Sequence, residues 1–284
     1  MRFLLLQVPD CPGADLLATR LSDLGIEVSR QVVDGEDLRM TGSPTLLIDG
    51  VDPFGTTIPS GLSCRLYRDE TGGAGRAPTT GQLRDAVEAV MRRTAARLAW
   101  AVVKLTQAGL EPVGVERLAR SVGIETAEAR RVAGLIGFPV EGDAVSMTWP
   151  PAGTRPHLMT VGDRRIGTGG GCSVDAFLLA IATGELVHAE SACPATGMRI
   201  HIDLTADAVL RVDPPEAVVA VVGFREADLT LGLDAISTQI CAHQPFYASA
   251  AAAAGWLAEH PGGRVHPVSE YLEHAHRLVA ALEA

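Results

Sequence analysis

The chain has 284 residues, a net charge of −10 and 47% hydrophobic residues, enough for two or three domains with real cores. The acidic balance argues against nucleic-acid binding as the main task and against a polybasic membrane contact. No apolar run approaches the roughly 18–20 residues of a membrane span.

The first segment, MRFLLLQVPDCPG, lacks a basic region followed by a long apolar stretch, so it reads as a strand and not a signal peptide. A cytoplasmic, reducing compartment is the expectation. RFLLLQV is a strand, and CPGADLLATRLSDLG is a helix with proline at its start and glycine at its end. IEVSRQVV is a second strand, and GSPTLLIDG is a third, bounded by Ser-Pro and Asp-Gly. After the Gly/Pro/Thr-rich TGGAGRAPTTG comes the helix QLRDAVEAVMRR.

A strand, a helix opening at Cys-Pro and a Ser-Pro-Thr before a later strand resemble the thioredoxin fold. The resemblance implies a cis proline at Pro44, facing Cys11. The departure is in Cys11-Pro12-Gly13-Ala14, which lacks the second thiol of a CxxC pair. Cys64 in GLSCRLY is the candidate resolving partner. Two readings stand side by side: a degenerate module used for packing or docking, and a working thiol at Cys11 whose place at a helix N-terminus favours the thiolate.

RLAWAVVKLTQAG is amphipathic, VGVERLARSVGIETAEARRVAGLIG reads helix–turn–helix, and FPVEGDAVSMTW is a short hairpin around Gly142-Asp143. Two helices and a hairpin suggest a winged-helix shape. Arg117, Arg120, Arg130 and Arg131 are placed to touch phosphate, but in an acidic chain they fit a solvated face better. Beyond residue 155, the strands HLMTV, MRIHIDL and AVVAVVGF alternate with a helix after Cys172 and an alanine-rich helix after Phe246. The expected architecture is therefore multidomain, α/β and α+β: a thioredoxin-like domain over 1–90, a winged-helix-like segment over 91–152 and a mixed α/β core over 153–284.

The five cysteines, at 11, 64, 172, 193 and 241, are odd in number and widely spaced, and none sits in a CxxC pair. They read as free thiols, with neither a disulfide framework nor a structural zinc site. Cys172 opens the helix in TGGGCSVDAF, with Asp175 one turn on. The i, i+3 spacing sets both on one face, and the preceding glycines leave room beside the thiol. The helix N-terminus favours a thiolate. A carboxyl group beside it has its pKa raised by like charge and desolvation, and so holds a proton to deliver. The plainer alternative is a capping aspartate and a small buried cysteine.

Two further segments bear on that choice, ESACPATG at 190–197 and STQICAHQPFYAS at 237–249. In order, C-S-V-D-A-F, S-x-C-x-x-T-G and C-x-H-x-x-F-Y-A-S resemble the organomercurial (alkylmercury) lyase family, over roughly residues 155–284. The resemblance implies Cys172 and Cys241 as the catalytic thiols that bind mercury, Asp175 as the acid near the metal, and Cys193 as structural, with Gly197 closing its turn. It implies cleavage of a carbon–mercury bond to hydrocarbon and Hg(II), a mercury-resistance detoxification. Mercury is soft and suits thiolates. It belongs to the substrate, so no cofactor is expected. Low-molecular-weight thiols are the expected partners, with a mercuric reductase as acceptor of Hg(II). Cys11 and Cys64 remain accessory thiols.

The departures are Gly171, where the family has bulkier neighbours, and Ala242, where a further cysteine sometimes follows. Trp149, Phe177, Phe246 and Tyr247 are candidates for an apolar pocket, with core packing as the commoner role. His243 is a candidate base beside Cys241 or a hydrogen-bonded structural histidine. The alternative functions are a non-catalytic protein that binds or senses a soft metal such as Hg(II) or Cu(I), a thiol-redox protein and a transcription regulator. Asp175 speaks for the lyase, because metal binding alone needs no acid.

Overall fold

The computed structural model describes residues 1–34, 37–55, 63–69, 71–109, 111–147, 156–169, 172–223 and 230–283. The chain divides into two compact units, Met1–Arg92 and Arg93–Ala284.

In the first unit, β1 (Phe3–Gln7) is the middle strand of a three-stranded sheet. It runs parallel to β2 (Ser29–Val32) and antiparallel to β3 (Thr45–Ile48). Between β1 and β2 lies α1 (Pro12–Asp23), with Pro12 in its first turn and Cys11 as its N-cap. Proline belongs there because its missing N–H has no intrahelical partner to lose. Ala14, Leu17 and Leu21 fall at helical spacing and are fully buried against Leu5, Leu46 and Ile48 of the sheet. The Ser43–Pro44 peptide is cis. A small hairpin follows, β4 (Tyr67–Arg68) with β5 (Ala74–Gly75).

The sequence suggests two helices where the structure has one, α2 (Thr80–Leu105). No glycine or proline interrupts residues 82–105, so nothing ends the first helix. Leu83 and Val90 pack in the core of the first unit, and Leu98 and Val102 in the second.

The second unit continues with β6 (Val113–Gly114), α3 (Val115–Val122), α4 (Thr126–Ile136), β7 (Val140–Glu141) and β8 (Ala144–Val145). The three strands pair in the order β6-β8-β7. Gly123 and Gly137 end the two helices with φ of 76° and 98°, a conformation that costs glycine little. Next come β9 (Pro156–Val161), β10 (Arg164–Gly169), α5 (Ser173–Thr183), β11 (Val187–Ala192), β12 (Arg199–Leu204) and β13 (Val209–Asp213). The five strands form an antiparallel sheet, β10-β9-β11-β12-β13. In β12 the alternation of RIHIDL matches its burial, with Ile200, Ile202 and Leu204 inward.

The chain closes with β14 (Val218–Val221), α6 (Leu233–Gln239), a 3-10 turn at Cys241–His243, β15 (Phe246–Tyr247), α7 (Ala254–Glu259), β16 (Arg264–Pro267) and α8 (Val268–Glu283). Here β14 is the middle strand of a second sheet, β15-β14-β16. The alanine-rich stretch forms less helix than its propensity suggests. Residues 250–253 are turns, and only Ala254–Glu259 is helical. The Ser249 hydroxyl accepts from Ala252 N, and Ala253 N is shared between Ser249 O and Ala250 O, so the stretch opens as a capped turn that leads into the helix.

Helix α5 is the hub of one core, where Phe177 and Ala180 meet Met159, Val187, Ile202 and Val219 from the sheets and Tyr271 from α8. A second core joins Leu118, Val132 and Ile136 to Ile236, Ile240, Val279 and Leu282. The middle segment therefore shares its core with the C-terminal elements. The fold is mixed α/β. No described helix is long and apolar enough to cross a membrane.

Candidate functional site

Cys172 is the N-cap of α5, with extended backbone at φ −91° and ψ 162°. A reciprocal cap fixes the first turn. Cys172 N donates to Asp175 Oδ2 at 2.8 Å, and the Cys172 side chain accepts from the Asp175 N–H. Beyond the cap, FLLAIA is apolar, and Ala176, Phe177, Leu179 and Ala180 are buried. The helix end is thereby anchored in the core and its polar first turn has a set position.

The loop carrying Cys241 is tied to the same place. Ser173 N donates to Gln244 O at 2.8 Å, Gln244 N to Cys241 O at 3.1 Å, and Ala220 N to Pro245 O at 3.1 Å. These bonds hold the 3-10 turn between the start of α5 and strand β14. The Cys172 and Cys241 thiols are hydrogen-bonded to each other.

The electrostatics differ from the sequence expectation in two respects. Cys172 stands at a helix N-terminus, yet its thiol is pushed well above the ordinary cysteine value. The hydrogen bond to Cys241 comes first among the causes, then burial, then the charges of Asp175 and Cys241. Without mercury Cys172 is a thiol, not a thiolate. Asp175 is raised from 3.8 to about 6, as expected in direction, with burial, one of the two expected causes, acting without the like-charge part. Hydrogen bonds from the Cys172 backbone and side chain act the other way and keep the rise moderate.

Cys172, Asp175 and Cys241 all line one cavity of about 960 Å³. Its wall is largely apolar, with Trp100, Val103, Phe138, Leu178, Ile236 and Leu282. Polar groups enter at Gln244, Arg264, His266, Tyr271 and His274. Among the described residues no three His, Cys, Asp or Glu side chains converge as a resident metal centre.

The other candidates lie elsewhere. Cys193 is buried at the β11–β12 connection, where Gly197 N donates to Cys193 O at 2.8 Å and Gly197 has a φ of 72°. Burial acts to raise its thiol, but hydrogen bonds from the Thr196 side chain and from the backbone at Ala248, Thr196 and Ala195 outweigh it and bring the pKa below the ordinary value. Cys11 is buried in the first unit, and Cys64 is exposed. His243 Nδ1 lies 3.3 Å from His260 Nε2, and His243 is not among the cavity residues. Phe177 and Phe246 are fully buried core residues, and Tyr247 is buried beside them; none of the three lines the cavity. Trp149, Gly171 and the rest of the glycine run except Gly169 lie outside the described residues.

Sequence reasoning passed over Trp100, Arg264, His266, Tyr271 and His274. A signal was present. Arg264 and His266 share a face of β16, and Tyr271, His274, Leu278 and Leu282 recur at helical spacing along α8.

Residues 152–280 match the family model described as alkylmercury lyase. An alkylmercury lyase of Bacillus cereus is 31% identical over 173 residues, which cover 58% of this chain and 73% of that protein. One of Staphylococcus epidermidis is 28% identical over 178 residues, covering 61% and 77%. Among solved structures, the mercury-bound form of MerB2 aligns with a TM-score of 0.46 at 18% identity, over 68% of this chain and 98% of that one.

Proposed function

This chain belongs to the alkylmercury lyase family, and from that premise we propose how its own residues cleave a carbon–mercury bond. The enzyme is an organomercurial lyase that releases a hydrocarbon and Hg(II). Cys172 and Cys241 hold the mercury of the substrate, and Asp175 delivers the proton. The observation that carries this reading is the meeting of two hydrogen-bonded thiols and one buried carboxyl group in a single apolar cavity.

The substrate enters as an organomercury cation bound to an exchangeable ligand, itself a thiolate in thiol-containing solution. The Cys172 sulfur bonds to mercury and gives its proton to the Asp175 carboxylate. The Cys241 sulfur bonds to the same mercury and displaces the ligand, which leaves with the Cys241 proton. Two thiolates now push electron density onto mercury and towards carbon. The carbon–mercury electron pair takes the proton from Asp175, and the hydrocarbon departs. Mercury stays as a bis-thiolate, and Asp175 is again a carboxylate. Two external thiols then exchange for Cys172 and Cys241 and return a proton to each. The raised pKa of Asp175 suits this cycle, because a carboxyl group near 6 both accepts and gives a proton at neutral pH. The apolar wall excludes water that would compete for that proton.

For the first unit we take a thioredoxin-like module as the reading, and for residues 91–152 a winged-helix-like segment. Support for the former comes from the β2-β1-β3 order, the cis Ser43–Pro44 bond and Cys11 at the start of α1. A Cβ on Gly13 would come within 2.9 Å of Pro44 Cδ, so the Cys-Pro-Gly turn faces that proline. Cys64 forms a parallel bridge with Ser43. Cys11 and Cys64 then act as accessory thiols that receive Hg(II) or keep the lyase thiols reduced. Free thiols at all five cysteines fit a reducing compartment such as the cytoplasm.

The test is turnover of methylmercury and phenylmercury in excess small thiol, with methane and benzene read by gas chromatography. Hydrocarbon from the wild type is expected, reduced about 10²-fold or more in Asp175→Asn, the order that general acid catalysis contributes. Stoichiometric mercury binding with no hydrocarbon from the wild type would sink the assignment of these roles. For the front unit, Cys11→Ser is compared at limiting external thiol. Slower Hg(II) release is expected, and unchanged release removes the accessory role.

A further inference from the structure

The cavity holds a second group of polar side chains that the carbon–mercury chemistry does not use. Arg264 and His266 stand two residues apart on β16, and His274 projects from α8 one turn after Tyr271. The His266 and His274 rings are stacked with centroids 5.1 Å apart. Tyr271 lies against both, at 5.6 Å and 5.3 Å, and lines the same cavity as Cys172. These imidazoles are thus neighbours of the thiol site through one aromatic ring.

One feature marks the group as unfinished. His266 Nε2 is buried and has no hydrogen-bond partner, which costs free energy unless something fills the position. Arg264 is exposed at the cavity edge, where it adds a solvated positive charge beside the two imidazoles. Cavity carboxylates lie elsewhere: Asp175 caps α5 beside the thiols, and Asp234 is exposed on α6. Glu270, exposed at the start of α8, acts on His266 more weakly than His274 and Arg264 do.

We propose that Arg264, His266 and His274 form an anion subsite that receives a carboxylate carried by the mercury compound, while its mercury faces Cys172 and Cys241. The proposal rests on the lyase reading above and adds a substrate class to it. A guanidinium and two imidazole N–H groups are a fitting donor set for a carboxylate. The arrangement also orients the molecule, since the opposite placement would set a carboxylate against Asp175 and the thiols. The carrier is either the organic group, as in an arylmercury carboxylate, or the thiol still bound to mercury.

The experiment has two arms, both on the full chain. First, mercury-free benzoate is titrated while the imidazole C–H resonances are followed by NMR, with benzyl alcohol as the uncharged control. Benzoate is expected to shift the His266 and His274 signals and raise their pKa values, with about tenfold weaker binding in Arg264→Gln, the order of one charge-assisted hydrogen bond. Second, kcat/KM is compared for 4-carboxyphenylmercury and phenylmercury, each with mercaptoacetate and with 2-mercaptoethanol. The wild type is expected to prefer the carboxylated partner, and Arg264→Gln to lower that preference ratio about tenfold. Preference that follows the aryl group assigns the carboxylate to the substrate, and preference that follows the thiol assigns it to the leaving ligand. Benzoate binding with no benzene from phenylmercury and no benzoate released from 4-carboxyphenylmercury would leave the subsite standing and overturn the lyase reading alone. Unshifted imidazole signals together with a ratio that Arg264→Gln does not change would overturn the subsite.

Discussion

The backbone N–H of Cys172 donates to Asp175 Oδ2 at 2.8 Å, so the group assigned as the acid is also half of the reciprocal cap of its own helix. The two tasks pull in opposite directions. A cap at a helix N-terminus favours the carboxylate, and burial favours the neutral acid. Burial prevails, and Asp175 sits at about 6 instead of 3.8.

That balance has a consequence for stability. Between about pH 4 and 6 the native state holds a proton that the unfolded chain has released. The stability from this group is fully present below the unfolded value and is lost as pH rises through about 6. Above that, the ionised buried carboxyl costs roughly 3 kcal/mol. Asp175→Asn stays uncharged at every pH and removes the cost. It is expected to be more stable than the wild type at pH 8 by that order, with the gap closing by pH 4. Denaturant unfolding at the two pH values checks this; a gap independent of pH would show that the Asp175 carboxyl is not raised.

Thiol labelling separates the cysteines by environment. Cys64 is exposed, and Cys172 is buried with its thiol well above the ordinary value through its bond to Cys241 and its burial. Iodoacetamide at pH 7 is expected to modify Cys64 first and Cys172 at least about tenfold more slowly, because the thiolate is the nucleophile. The Cys172 rate should climb with pH and vanish on addition of one equivalent of Hg(II). Peptide mass spectrometry over a time course gives the order directly. Faster modification at Cys172 than at Cys64 would mean that the helix N-terminus controls this thiol after all.

Much of this site was legible in the chain because its cues are local. C-x-x-D before an apolar run marks a helix start with thiol and carboxyl group on one turn. What was not legible is tertiary. The direction of the Cys172 shift depends on Cys241, which is held beside it by the Ser173–Gln244, Gln244–Cys241 and Ala220–Pro245 bonds. Phe177, a pocket candidate with core packing as its commoner role, is a core residue, against Tyr271 at 4.9 Å between centroids. The wall comes from α2, α5, α6, β16 and α8 together, and its residues outside the C-x-x-D turn carry periodicity but no chemical motif. The alanine run forms less helix than expected because helix propensity is a weak prior, and residues 250–253 are turns.

Cys193 supplies a third prediction. Its sulfur accepts from the backbone at Ala248, Thr196 and Ala195, which joins the β11–β12 connection to the segment after β15. Cys193→Ala leaves those buried donors without an acceptor, a loss of about 1–3 kcal/mol. Cys193→Ser keeps an oxygen acceptor and is expected to lose less than half as much. Turnover of the folded fraction should stay near wild type in both. A collapse of kcat in Cys193→Ser at normal stability would instead place Cys193 in the chemistry.

The last prediction concerns the first unit, where Arg65 and Asp52 form an ion pair at 2.5 Å with side chains only 5% and 9% exposed. Arg65 also donates to the Thr41 hydroxyl at 2.7 Å and to the Phe54 carbonyl, and its guanidinium lies 4.7 Å from the Tyr67 ring centroid. Thr41 donates in turn to Asp52 at 2.6 Å. Removing one partner from such a pair leaves a buried charge uncompensated, which costs about 3–5 kcal/mol. Asp52→Ala is therefore expected to unfold the first unit readily, with early loss of hydrogen-exchange protection in β1 and β3. Replacing both charges, with Arg65→Met and Asp52→Leu, should cost much less, because the desolvation of two ions disappears with their attraction. Exchange rates in β1 and β3 for the single and the double variant decide it. Equal loss in both would mean that the apolar contacts of these side chains, and not the charge pair, hold this corner of the unit together.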